Sequence, residues 1–237
     1  MQTGTRSDTS EPAEYDEAVR LNPNSAEAYF NRGKARATQD QDPSAILDYD
    51  EALRLNPNFA EAYFHRGCLK DFLAPRESIL AVSRASFRCA IADFDEAIRL
   101  GLELSLLSHA YYRRGLANYN LDQYEAAILD FDAALSLDPS DSESIDGRKD
   151  AEGTLNFYEG GIARMDGRIK QNPDDIRTLK IRGETQGFLG RMQEAKSDFQ
   201  IILKLTMDTD VITEIERHLQ ELDNPDYWQQ YSWRTEG

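Results

Sequence analysis

The chain has 237 residues, with 43 acidic against 27 basic side chains and a formal net charge of −16 at pH 7. That charge disfavours nucleic acid and anionic membrane surfaces as partners. No apolar run approaches the roughly 18–20 residues that span a bilayer, and no hydrophobic signal segment opens the chain, so we expect a cytoplasmic protein without membrane insertion. The two cysteines, Cys68 and Cys89, do not suggest a disulfide framework.

Two short segments precede the regular part of the chain. Residues 1–10 carry almost no apolar side chains and are expected to be disordered. Residues 11–25 match only the second half of the unit that follows them. They predict one helix, an orphan half-repeat, that covers the exposed end of a helical array.

A two-part phrase then repeats along the chain. The segment AEAYFNRG at 26–33 recurs as AEAYFHRG at 60–67, a period of 34 residues, and more loosely as SHAYYRRG at 108–115. Each copy is followed by a second phrase such as LDYDEALRLNP at 47–57. Both phrases place apolar and small residues at helical spacing, so each unit predicts two helices. A fixed period of this length is typical of a solenoid of stacked helical hairpins.

The spacing of the repeated residues resembles that of the tetratricopeptide repeat family. In residues 26–59 the positions that carry the resemblance are Tyr29, Gly33, Ala45, Tyr49 and Pro57. The resemblance covers about residues 11–209 and implies an all-α fold, a right-handed α-solenoid of stacked antiparallel helix pairs. We expect three units in 26–141, one degenerate and one regular unit in 142–209, a capping helix over 209–222 and an aromatic tail over 223–237.

The chain departs from the family pattern in one consistent way. The leucine that the family places before the glycine is an arginine in four units: Arg32, Arg66, Arg114 and Arg182. In the same units an aspartate precedes the aromatic residue of the second helix: Asp48, Asp93, Asp130 and Asp198. In the degenerate unit the glycine is replaced by Lys149 and the aspartate by Arg164. We infer an arginine–aspartate ion pair within each of the four hairpins that keep both residues. The glycine retained in those four units predicts close approach of the paired helix.

The second unit carries an insertion of 11 residues at about 74–89. Eleven residues make three helical turns, so the pattern favours a second helix lengthened over 75–100 that protrudes from the solenoid. An irregular surface loop is the alternative interpretation. A protruding helix would present Ile79, Val82 and Phe87 to a partner or to a second copy of the chain.

The family resemblance also implies where a ligand binds. In this family the first helices of successive hairpins line a concave groove, and the corresponding positions here are Phe30, Asn31, Lys34, Phe64, His65, Cys68, Tyr112, Arg113 and Leu116. The aromatic residues among them are expected to accept apolar anchors of a peptide or helix. Relatives that clamp a C-terminal carboxylate use groove lysines, asparagines and an arginine, and in this chain only the arginine, Arg113, matches. Binding of acidic chaperone tails in that manner is therefore not expected.

Catalytic and metal-binding patterns find little support. The chain has no phosphate-binding glycine loop and no nucleophile-elbow sequence, so we expect neither an enzyme nor a cofactor. Glu61, His65 and Cys68 share one helical face, with His109 at the equivalent of Glu61 in the next unit. No paired Cys or His motif accompanies them, and no metal is expected there.

The aromatic tail allows two interpretations. It contains Trp228, Tyr231 and Trp233 within six residues. These side chains either pack onto the terminal helix or form a docking motif for a partner or another copy of the chain.

The sequence thus predicts a non-enzymatic scaffold or assembly factor that binds a peptide or helix of a partner protein in the groove. The alternative is a regulatory or substrate-recruiting subunit of a larger complex whose catalytic activity lies in another protein.

Overall fold

The computed structural model describes residues 11–39, 41–74 and 80–228, and within them it contains helices and no strands. The all-α fold class is therefore confirmed. None of the described helices is long and apolar enough to cross a membrane. The helices are α1 (Glu11–Leu21), α2 (Ala26–Ala37), α3 (Asp42–Leu55), α4 (Ala60–Leu73), α5 (Leu80–Leu100), α6 (Leu104–Asn120), α7 (Tyr124–Leu137), α8 (Ser142–Gln171), α9 (Ile176–Phe188), α10 (Met192–Leu205), α11 (Thr209–Gln220) and α12 (Pro225–Trp228).

Backbone proximity divides the chain into two compact units. The first comprises the chain up to Leu121 together with Leu129–Gly147, and the second comprises Asp122–Ile128 and the chain from Arg148 onwards. Helices α7 and α8 each contribute residues to both units. The first unit holds the hairpins α2–α3 and α4–α5, whereas the second holds the hairpin α9–α10.

The repeated spacing of glycine and aromatic residue within a hairpin has a steric cause. A Cβ atom added at Gly67 of α4 would lie 2.9 Å from Cε1 of Phe94 on α5, closer than real Cβ contacts. Phe94 is fully buried, so the two helices meet at this ring. The close approach predicted from the glycines is confirmed, and the same contact recurs at Gly33, Gly115 and Gly183.

Each of the four predicted arginine–aspartate pairs is present. In the second hairpin, Arg66 donates hydrogen bonds from Nε and Nη2 to the carboxylate of Asp93, at 2.9 and 2.6 Å. The remaining nitrogen, Nη1, donates to Asp50 on the preceding hairpin at 2.6 Å. Equivalent second partners are Asp16 for Arg32, Asp95 for Arg114 and Asp166 for Arg182. Each arginine therefore links the aspartate of its own hairpin to a second aspartate on an earlier helix. The sequence pattern predicted only the first of these two contacts.

The insertion in the second hairpin is helical where the structure describes it, because α5 begins at Leu80; residues 75–79 lie outside the described part. Its expected protrusion is wrong. Phe87 is only 6% exposed and packs against Ala117 and Leu121. The Arg84 guanidinium, also buried, donates to the carbonyl oxygen of Leu121 at 3.0 Å. The additional turns are held against the end of α6 because these contacts bury their inner face.

A single helix replaces the expected degenerate hairpin. Residues 142–175 were predicted to form a degenerate unit of two helices, but α8 runs without interruption over Ser142–Gln171. Its glycines cost about 0.5–1 kcal/mol each relative to alanine, which does not outweigh the burial of Tyr158 and Ile162. No proline occurs in α8 before Pro173, so nothing in the sequence forces the helix to end earlier.

The end of the second unit is closed by Trp228. This side chain is fully buried, lies parallel to the Phe199 ring at 5.9 Å, and donates from Nε1 to the carbonyl oxygen of Leu222 at 3.1 Å. A Cβ added at Gly187 would lie 2.7 Å from the indole. Trp228 is therefore part of the core. For this residue, the interpretation that the tail packs onto the helices holds, and the interpretation of an exposed docking motif does not. Tyr231 and Trp233 lie outside the described residues.

Candidate functional site

The predicted groove residues fall into a buried and an accessible group. Phe30 and Phe64 are 9% and 3% exposed, because each ring is covered by neighbouring helices. Their predicted role as apolar anchors for a ligand is therefore wrong. The accessible group contains the exposed Asn31 and Lys34 and, half-buried, His65, Cys68, Tyr112, Arg113 and Leu116. Of the second predicted surface, Val82 is 44% exposed, Phe87 is buried, and Ile79 lies outside the described residues.

A chain of ring contacts runs through the first helices of the first unit. The His65 imidazole lies 5.4 Å from the Phe30 ring and 5.3 Å from the Phe64 ring. Phe64 lies 5.7 Å from His109, which stacks on Tyr112 at 6.2 Å. Burial lowers the pKa of His65 to about 4, so this imidazole is neutral at pH 7. The rings of α2, α4 and α6 therefore form one continuous row along the first helices of this unit.

Arg113 links His109, one of these rings, to the buried carboxylate of Asp71. Its Nη1 lies 3.4 Å from Oδ2 of Asp71, and its Nε donates to Nε2 of His109 at 3.3 Å. Desolvation of the partly covered imidazole and the neighbouring Arg113 charge lower the pKa of His109, so His109 is neutral as well. Burial raises the pKa of the Cys68 thiol to about 12, which makes it a poor nucleophile and metal ligand. The guanidinium of Arg113 is thus already bound to two side chains of the protein itself.

An open cleft of about 490 Å³ adjoins Tyr112. It lies within the first unit, between the start of α6, the end of α7 and the start of α8. Its lining is partly apolar and partly acidic: Leu104, Ser105, Ser108, His109, Tyr112, Leu137, Asp138, Asp141 and Glu143. Leu104 is 72% exposed and Leu137 38% exposed, so two leucines border the cleft without being covered.

The acidic side of the cleft carries uncompensated negative charge. Ser140 donates to Asp138 from both its hydroxyl and its backbone nitrogen, which lowers the pKa of Asp138 and keeps it ionised. Asp141 accepts from the backbone nitrogen of Glu143 at 3.2 Å at the start of α8. Burial, followed by the nearby Glu143 charge, raises the pKa of the Tyr112 hydroxyl. Within the described residues, none of the three carboxylates forms an ion pair with a basic side chain.

Sequence reasoning found one side of this cleft and missed the other. Tyr112 was predicted from its repeat position, whereas the acidic residues belong to the segment LDPSDSE at 137–143, which runs from the end of α7 to the first turn of α8. Aspartate is common at the end and at the start of a helix, so Asp138 and Asp141 gave no separate indication of a binding site. The sequence feature that could have indicated the site is the group of three acidic residues directly after Leu137, which is exposed.

Two segments of the chain match models of one repeat family. Residues 108–141 match the tetratricopeptide repeat, and residues 13–40 match a related model described as the TPR repeat. The first segment runs from α6 to the start of α8 and includes most of the cleft. These two segments of the chain therefore match tetratricopeptide repeats, as their residue spacing predicted. No curated protein matches it at the level of sequence.

Solved structures with similar folds are also TPR proteins. YrrB, described as a TPR protein with an unusual peptide-binding site, is 18% identical, with 86% of this chain and 97% of YrrB covered at a TM-score of 0.50. The Arabidopsis OM64 TPR domain is 26% identical over 54% of this chain and 95% of that domain, with a TM-score of 0.46. TTC0263, a thermophilic TPR protein of Thermus thermophilus, is 15% identical over 88% of this chain and 89% of that protein, with a TM-score of 0.46. These likenesses concern the fold alone.

Proposed function

We propose that the chain is a non-enzymatic protein-interaction module that binds a peptide segment of a partner in the cleft beside Tyr112. The observation that carries this proposal is an open cleft whose exposed leucines and rings lie beside three carboxylates that, within the described residues, lack basic partners. Protein binding is the general role of the fold, and YrrB is described as having a peptide-binding site.

The chemistry of the cleft favours a positively charged segment. The carboxylates of Asp138, Asp141 and Glu143 attract lysine or arginine, while Leu104 and Leu137 offer contacts for an adjacent apolar side chain. A segment that combines a basic residue with an apolar one satisfies both sides of the cleft. An acidic segment would instead bring like charges together without compensation.

Selection of peptides from a random displayed library tests this proposal. The full chain is compared with the variant Asp138→Asn/Asp141→Asn/Glu143→Gln, which removes the charge but retains side-chain acceptors at the helix ends. We expect the wild type to enrich sequences with a basic residue next to an apolar one, and the variant to lose that enrichment.

A matched control separates local charge from net charge. Asp174, Glu194 and Glu216 are exposed residues of the second unit, and their change to Asn, Gln and Gln alters the net charge by the same amount. That control should enrich the same peptides as the wild type. Enrichment of acidic peptides, or equal loss in both variants, would contradict the proposal.

A further inference from the structure

A second group of ionisable side chains lies in the second unit, away from the cleft. Lys180 and Glu184 are on α9, and Glu214 and His218 are on α11. Lys180 and Glu214 are 34 residues apart, as are Glu184 and His218, so the two pairs occupy equivalent positions of successive first helices. Glu184 and His218 are fully buried, whereas the Glu214 side chain is 33% exposed.

Three potential ligand atoms converge in this group. Nε2 of His218 lies 3.3 Å from Oε1 of Glu184 and 4.0 Å from Oε1 of Glu214. Ligand atoms of all three residues lie within 4.8 Å of one another. Two ligands each about 2.1 Å from a tetrahedral Zn²⁺ ion are about 3.4 Å apart. The distance between His218 and Glu184 fits this value, and Glu214 must move closer to complete the site.

The outer atoms of two ligands are held by neighbours. Nδ1 of His218 lies 2.8 Å from the Tyr227 hydroxyl, and Nζ of Lys180 forms a salt bridge with Oε2 of Glu214. When Nδ1 carries the proton that it donates to Tyr227, Nε2 faces the two carboxylates. A metal-binding histidine is commonly oriented by such a bond through its other nitrogen, and a ligating carboxylate by a second donor.

The contact between Nε2 of His218 and Glu184 needs either an N–H hydrogen or a cation between the two atoms. A lone pair on Nε2 directed at a buried carboxylate is unfavourable, so either a proton or a metal ion must lie there. One nitrogen and two carboxylate oxygens are a ligand set that suits Zn²⁺ and Co²⁺, and Glu214 is the partly exposed ligand of the three.

We propose that Glu184, Glu214 and His218 form a site for a divalent transition-metal ion, of the Zn²⁺ class, between α9 and α11. Binding requires the tautomer of His218 in which Nδ1 carries the hydrogen, so that Nε2 and the two carboxylates can ligate the ion. The ion links α9, in the last hairpin, to α11. Because the Tyr227 hydroxyl contacts His218, the ion is also connected to α12, which contains the buried Trp228. The site therefore stabilises this end of the second unit.

Titration of the metal-free full chain with Zn²⁺ and with Co²⁺ tests the proposal. We expect one ion per chain, a rise in unfolding temperature, and a Co²⁺ absorption spectrum without the thiolate charge-transfer band that ligation by Cys68 or Cys89 would produce. The variant Glu214→Gln removes a partly exposed ligand, and Tyr227→Phe removes only the group that orients the imidazole. Each should weaken Zn²⁺ binding about 10- to 100-fold.

Glu216→Gln on the exposed face of α11 serves as the control and should bind as the wild type does. Should His218→Gln fail to fold, Glu214→Gln and Tyr227→Phe still decide the question. The proposal is overturned if no saturable binding occurs at millimolar metal, in which case a proton joins His218 to Glu184. It is equally overturned if both variants bind as tightly as the wild type, or if the thiolate band is present.

Discussion

Replacement of Gly67 by alanine tests whether close helix packing explains the repeated glycine. The added Cβ would lie 2.9 Å from Cε1 and 3.1 Å from Cδ1 of Phe94, and 3.2 Å from Cβ of Asp93. Phe94 is fully buried, and Asp93 is held by Arg66, so neither neighbour can move aside freely. The two helices must separate or the ring must leave its preferred rotamer.

The magnitude follows from two opposing effects. An alanine in place of a helical glycine gains about 0.5–1 kcal/mol from reduced freedom of the unfolded chain. Overpacking of a filled core costs about 1–3 kcal/mol. At Gly67 the second effect is larger, and we expect a net loss of about 0.5–2 kcal/mol. At Gly153, on the exposed side of α8, no atom lies within 4 Å of the added Cβ, so the same substitution should gain about 0.5–1 kcal/mol.

Urea unfolding followed by far-ultraviolet circular dichroism measures both variants. The unfolding midpoint should fall for Gly67→Ala and rise for Gly153→Ala, although the chemical change is identical. If Gly67→Ala were as stable as the wild type or more stable, close approach would not be the reason for the glycine.

Three further predictions concern other contacts. Arg114→Met leaves the buried Asp130 without its ion-pair partner and should lower the free energy of unfolding by up to about 3 kcal/mol. In a double-mutant cycle, Arg114→Met/Asp130→Leu should recover most of that loss, whereas independent losses at the two positions would refute the coupling. Burial depresses the pKa of His65 to about 4, so only the unfolded chain takes up this proton between about pH 6.5 and 4. Stability should therefore fall by up to about 3 kcal/mol across that window, and His65→Phe should remove this component from the measured pH dependence; an unchanged profile would contradict it. Gly187→Ala should displace Trp228 and shift tryptophan fluorescence to longer wavelength, and an unshifted spectrum would argue against the buried position.

The sequence predicted features that depend on residues within one hairpin. The 34-residue period, the Gly67–Phe94 contact and the Arg66–Asp93 pair could all be inferred, because helical spacing determines which residues of a hairpin face each other. The unbroken α8 could not, because its glycines indicate breaks locally while burial of its inner face keeps the helix intact.

The candidate site was only partly predictable for a related reason. The repeat pattern places Phe64 and Tyr112 near the same face, but it does not tell how far the next hairpin covers each ring, and Phe64 proved to be buried. Asp138 and Asp141 lie in the connection between α7 and α8, and Glu143 lies in the first turn of α8, so no helical periodicity relates the three acids. Their meeting with Tyr112 depends on tertiary packing, which no local pattern records.

Fluorescence anisotropy with one peptide from the library selection tests the central claim most directly. The selected peptide, and a copy in which its basic residue is changed to glutamate, are titrated with the wild type and with Tyr112→Ala, after circular dichroism has established that the variant folds. We predict that either change alone weakens binding at least about tenfold, a loss of about 1.4 kcal/mol. Equal affinity of both peptides for both proteins would contradict recognition of a basic segment in this cleft.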